Sequence, residues 1–174
     1  VPRGFYELVD TFLKHVDEYQ AIARKHLPIA DDVKRPGEPG GTGDCYPAPI
    51  GLNTIEALNI YRNIRPWRDF QDVAKQLAEL GEQQFKDIQA HHTGKDPEKI
   101  RMTSKAAGLG RTKFAERGQP CPLLDVAKGR CRIWEVRPAC CRMHLVRGDK
   151  ALADPRHEGH ASVQVVNIRI PIRA

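Results

Sequence analysis

Residues 118–144 read GQPCPLLDVAKGRCRIWEVRPACCRMH, and this stretch holds four of the five cysteines in a chain of 174 residues. Nine residues separate Cys121 from Cys131, nine more separate Cys131 from Cys141, and Cys140 immediately precedes the last. This is not the paired CxxC spacing of a zinc finger. A closed metal site needs three or four thiolates converging at about 2.3 Å from one ion, and loops of this length bring their ends together at low entropic cost. The spacing permits a metal site without demanding one. A redox centre and a packed turn between helices stay open as readings.

The local chemistry narrows the choice. In RPACCR, Pro138 predicts the first turn of a helix. Cys140 and Cys141 then fall among the unpaired N–H groups at the positive end of the dipole, where a thiolate is stabilised. Adjacent helical residues point about 100° apart, so one of the two serves as a ligand and the other packs or stands as a spare thiol. Arg130, Arg132, Arg137, Arg142 and Arg147 crowd the same segment. A four-thiolate site on a divalent ion carries about two net negative charges that such groups can offset. The other reading of these arginines is a solvated basic face.

The flanks predict helices. Residues 5–27 space Phe5, Leu8, Val9, Phe12, Leu13, Val16, Tyr19, Ile22 and Ala23 at three- and four-residue intervals, one helical face. Pro28 ends it, and DDVKRPGEPGGTGD at 31–44 has the composition of a flexible loop. Asn53 with Glu56 three positions later suits a capping box, and that second helix should stop near Arg65 because Pro66 follows. A third helix is expected from Pro66 to about His92, with Phe70, Val73, Leu77, Leu80, Phe85 and Ile88 as its stripe and Gly94 beyond its end. Residues 95–120 read as a basic, flexible, irregular stretch with a short helix around 104–107. SVQVVNIRIPIR at 162–173 reads as a strand or extended tail, confined to an edge by Pro171.

Apolar residues make up 40% of the chain, so a core is affordable, but only 6% are aromatic and it must rest on Leu, Ile, Val and Ala. No apolar run approaches the roughly 18 residues of a membrane span, and the N-terminus lacks a basic-then-apolar leader, so a cytoplasmic location and no membrane partner are expected. An odd number of cysteines in a reducing compartment argues against a disulfide framework. The opening VPRG matches the remnant of a thrombin-cleavable linker and is set aside; one domain over 5–174 is expected. The net charge of +6 is diffuse and reads as solubility rather than a nucleic-acid footprint.

The residues also carry a family likeness. CPLLDVAKGRCRIWEVRPACCR, residues 121–142, resembles the signature of the bacterial YkgJ-like cysteine-cluster proteins, described as a zinc- or iron-chelating domain: Cys-Pro-Phe-Leu, a short gap, Gly-x-Cys-x-Ile-Tyr, then Arg-Pro-x-x-Cys-Arg. Cys121, Pro122 and Leu124 match the first element. Gly129, Cys131, Ile133 and Trp134, where tyrosine is usual, match the second. Arg137, Pro138, Cys141 and Arg142 match the third. The resemblance implies Cys121, Cys131 and Cys141 as ligands and leaves Cys140 spare. The family has an upstream cluster of several cysteines, where this chain has Cys45 alone. The implied set is Cys45, Cys121, Cys131 and Cys141, which could close one tetrahedral site around zinc, with iron or an iron–sulfur cluster as the alternative cofactor.

Other readings compete with this one. His144, one turn after Cys141, could replace Cys45 as a ligand. His157 and His160 have loop-like flanks and no third partner, and His91 and His92 suit a helix end. A reactive Cys140 or Cys141 thiol with His144 as its partner would make the protein an enzyme, though no phosphate loop, paired carboxylates or HExxH motif names a reaction. The basic span 95–118 lacks the aromatic platforms of a nucleic-acid binder. The expected architecture is mainly α: a small helical domain of three amphipathic helices around a cysteine-ligated metal, with a short C-terminal extended segment.

Overall fold

The computed structural model describes residues 3–26, 33–34, 52–92, 105–143, 146–147 and 157–158. Its described elements are mostly helical: α1 (Phe5–His26), α2 (Thr54–Ile64), α3 (Phe70–Ala90), α4 (Lys105–Ala115) and α5 (Ala139–Met143), with four two-residue strands and a 3-10 turn at Trp134–Val136. The expected mainly helical class is what the chain adopts. The C-terminal strand expected at 162–173 lies outside the described residues.

The expected stripe of α1 is only partly inward. Val9, Leu13 and Val16 are buried, and Gln20 continues their line one turn on, whereas Leu8, Phe12 and Ile22 are exposed. At the start of α2 the capping box forms in full: the Glu56 N–H donates to Asn53 Oδ1 at 2.8 Å and the Asn53 N–H to Glu56 Oε2 at 3.3 Å. Helix α3 begins four residues after Pro66 rather than at it. The chain first turns through Trp67, whose N–H reaches the Ile64 carbonyl at 2.9 Å, and the Asp69 carboxylate is engaged by Arg132 at 2.7 and 2.8 Å instead of capping the helix.

Where an irregular stretch with a helix around 104–107 was expected, the chain forms the eleven-residue α4. It lies against α3, with Ala107 and Phe114 buried. Gly110 is where the two backbones meet: an ideal Cβ there would stand 2.4 Å from Ile88 Cα. The same contact is closed by an ion pair. Arg117 donates through Nη2 to Asp87 Oδ1 at 2.6 Å and through Nε to Oδ2 at 3.0 Å, and this hydrogen bonding holds the Asp87 carboxyl below the usual carboxylate range against an opposing effect of burial.

A pH dependence follows from that lowered value. The contribution of Asp87 is fully present above the unfolded-state pKa of about 3.9 and is lost as pH falls through the lower folded value. Asp87→Asn should therefore melt below wild type at pH 7, with the gap closing as both are taken to pH 3. An equal gap at the two pH values would show that the charge of Asp87 contributes nothing.

Two small antiparallel ladders complete the fold. β2 (Leu124–Asp125) pairs with β3 (Arg130–Cys131) with Leu124 opposite Cys131, and Gly129 supplies the left-handed conformation (φ 59°) that the turn needs. β1 (Val33–Lys34) pairs with β4 (Val146–Arg147), tying the α1–α2 connection to the chain just after α5. The core joins Ile60 and Ile64 of α2, Val73 of α3, and Leu123 and Ile133 flanking the hairpin, with Cys121 and Cys131 packed against it.

Candidate metal centre

The hairpin brings the first two motif cysteines together. The Leu124 N–H donates to the Cys121 carbonyl at 2.9 Å and the Arg132 N–H to the Leu123 carbonyl at 2.8 Å, so the chain returns beside its starting point after ten residues. The third cysteine arrives on α5, whose first turn follows Pro138. That proline precedes the helix by one residue rather than opening it, and its carbonyl accepts from the Arg142 N–H at 3.0 Å. Cys140 and Cys141 thus stand in the first turn, as their sequence context predicts.

Cys121, Cys131 and Cys141 all line one cavity of about 570 Å³, and Cys140 does not. Its walls come from α2 and α3 through Ile60, Ile64, Phe70 and Leu77. None of the four cysteines at 121, 131, 140 and 141 is in a disulfide. Cys131 also borders a second cleft, of about 730 Å³, that contains both tryptophans, Trp67 and Trp134.

The thiols differ in acidity. Burial pushes the Cys131 thiol up, a hydrogen bond from the Ile133 N–H opposes this, negative charge on Cys121 adds to it, and Arg137 draws it back. The two thiols stand within electrostatic reach of each other. Cys140 is shifted down, first by its hydrogen bond with the Cys141 side chain, while burial and the Glu56 carboxylate oppose the shift and helix N–H groups assist it.

Among the described residues, Arg137 and Arg142 are structural and face inward, at 4% and 3% exposure. Arg142 donates through Nε to the Arg137 carbonyl at 2.8 Å, through Nη1 to Asp17 on α1, and through Nη2 to the Glu135 carbonyl. Gln20 of α1 in turn donates to the Arg142 carbonyl. Arg137 lies 3.5 Å over the Trp134 ring and donates to the Trp134 carbonyl at 2.6 Å. Arg132 is stacked 3.8 Å over Trp67, and Arg130 is exposed. The solvated-face reading therefore holds for Arg130, while Arg137 offsets charge at Cys131. Inward arginines were not foreseen, and neither was a second bond from Glu56, whose Oε1 accepts from the Ala139 N–H at 2.8 Å.

Residues 73–158 match the family model CxxCxxCC, whose description reads "Putative zinc- or iron-chelating domain". This part of the chain matches that cysteine-cluster family. The CxxCxxCC segment contains all four clustered cysteines and begins within α3. No curated protein and no solved structure matches the chain.

The CxxCxxCC donor set is soft and sulfur-rich, which suits zinc or iron, and three of its thiols share an apolar cavity where a thiolate has little solvation and gains most from a bound cation. Among the described residues no three His, Cys, Asp or Glu side chains stand close enough together to hold an ion as they are placed. Cys45, proposed as the fourth ligand, lies outside both the described residues and the matched span, and His144 and His160 are outside the described residues too. His91 acts locally: its Nδ1 lies 2.8 Å from the Asp87 carbonyl at the end of α3. His157 is exposed. No described helix is long and apolar enough to cross a membrane.

Proposed function

We propose that the chain holds one zinc ion through Cys45, Cys121, Cys131 and Cys141, and that the ion's first role is structural. The observation that carries this reading is the shared cavity: the three motif cysteines line it and their neighbour Cys140 does not. Leu52, two residues before α2, lines the same cavity. Cys45 is seven residues upstream in the sequence, and seven residues can span up to about 25 Å, a length of chain sufficient for Cys45 to serve as the fourth ligand. Zinc is favoured over iron because a set of four thiols suits a single closed tetrahedral ion.

A bound ion would supply the positive charge that keeps buried thiols deprotonated. The chain's own residues do the rest: the hairpin holds Cys121 beside Cys131, α5 presents Cys141, and Arg137 offsets part of the thiolate charge. Joining the α2 approach, the hairpin and α5 through one ion would make binding energy part of folding energy.

The test is the metal content and visible spectrum of protein purified without added metal. About one equivalent of colourless zinc is expected; a brown chromophore would replace zinc with an iron–sulfur cluster, and no metal at all would sink the reading. Serine at Cys121, Cys131 or Cys141 should abolish metal retention and Cys140→Ser should keep it. The reverse pattern would make Cys140 the ligand, and full retention by Cys45→Ser would remove the fourth one.

A further inference from the structure

Glu56 explains more than the start of its own helix. It is buried at 5% exposure, and its carboxylate is shared between two helix beginnings: Oε2 accepts from the Asn53 N–H at 3.3 Å, and Oε1 accepts from the Ala139 N–H at 2.8 Å across a separation of 83 residues. Ala139 is the first residue of α5. A helix of five residues cannot hold its direction by its own ladder, because its opening N–H groups have no partner within it. Its direction is set by whatever satisfies them. On the other flank, Gln20 grips the Arg142 carbonyl. Between these two holds stands Cys141.

We propose that Glu56 is the positioning residue for the Cys141 ligand: its second carboxylate oxygen sets the angle of α5 and so aims that thiol at the metal. The inference rests on the metal reading above. Glutamine at position 56 is the informative variant, because it still suits a capping box but offers one acceptor oxygen where two N–H groups need one. Asn53→Ala is the control. It removes the side-chain cap of α2 and leaves the Glu56 bond to Ala139 in place.

The experiment titrates metal-free protein with Co2+, reading the sulfur-to-cobalt charge-transfer band and competition with a chelator, and measures the alkylation rate of Cys141 before metal is added. Glu56→Gln should weaken Co2+ binding roughly 10- to 100-fold, the range for losing a group that orients a ligand. It should also alter the band and speed alkylation of Cys141, while Asn53→Ala stays near wild type in all three. A Glu56→Gln protein that matches wild type in affinity and spectrum overturns the inference, as does an Asn53→Ala protein that loses affinity equally, since helix stability would then be the whole effect. Absence of Co2+ uptake by the wild type overturns the metal reading and this inference together.

Discussion

Gly110→Ala should destabilise the protein by about 2 kcal/mol, and Gly108→Ala, two residues away on the same helix, should stabilise it by up to about 1 kcal/mol. Both gain the same helix propensity, about 1 kcal/mol for alanine over glycine. They differ in what the new methyl meets. At Gly110 an ideal Cβ would lie 2.4 Å from Ile88 Cα, 2.6 Å from Ile88 N and 2.7 Å from the Asp87 carbonyl oxygen, all backbone atoms that no rotamer change can move aside. At Gly108 nothing lies within 4 Å. Overpacking a close contact costs about 1–3 kcal/mol, and a clash with backbone belongs at the top of that range, so the net loss is about 2 kcal/mol. At roughly 2–4 °C per kcal/mol for a chain of this size, the melting temperature of Gly110→Ala should fall by about 4–8 °C while that of Gly108→Ala rises. Equal melting temperatures would mean that α3 and α4 do not approach so closely. Pushing α4 away also moves Phe114, which lines the cysteine cavity, so the variant should lose metal affinity as well.

That close approach also explains why α4 was the least legible helix in the sequence. Its residues, KAAGLGRTKFA, include two glycines and show little division into apolar and polar faces, so neither propensity nor periodicity announces eleven helical residues. The pattern makes sense only with α3 in place, because one of those glycines is where the partner's backbone must pass. Helices α1 to α3 were legible because each buries a stripe with the helical period, and the start of α2 was legible to the residue because its capping box is a local device. Local rules also misled. Pro66 opens a turn rather than α3, and the exposure of Leu8, Phe12 and Ile22 narrows a stripe that periodicity alone makes wide.

The candidate site divides in the same way. The family likeness is carried by a local motif; it implied Cys121, Cys131 and Cys141 as ligands and left Cys140 spare, and the first three line the shared cavity whereas Cys140 does not. Contacts between distant parts of the chain were not legible. Glu56 already had a sufficient local explanation, so nothing in the sequence demanded its bond to Ala139. Arginine is normally a surface residue, so nothing marked Arg137 and Arg142 as interior until Asp17, 120 or more positions upstream, came into contact with them.

Arg142→Met should be the most damaging single change among the arginines, at about 3 kcal/mol, while Arg132→Met leaves the melting temperature close to wild type. Methionine fills much of the same volume, so the loss is chiefly of donors rather than of packing. Three acceptors lose a partner together: the Arg137 carbonyl, the Glu135 carbonyl and the Asp17 carboxylate. Each buried acceptor left unsatisfied costs about 1–3 kcal/mol, and removing one side of a buried pair costs about 3–5 kcal/mol. The Asp17 side chain is 39% exposed and is still approached by Arg137 at 3.5 Å, so water and the second arginine recover part of that loss and the lower end applies. A fall of about 6–12 °C in melting temperature is expected. Arg132 makes a better-formed bidentate pair, at 2.7 and 2.8 Å, yet that pair is solvent-exposed, and exposed pairs contribute little to stability. Ranking by hydrogen-bond geometry would put Arg132 first; ranking by what is left buried and unpaired puts Arg142 first. Thermal melts of the two variants decide between these rankings, and a larger loss for Arg132→Met would mean that α5 is not held to α1 through Arg142.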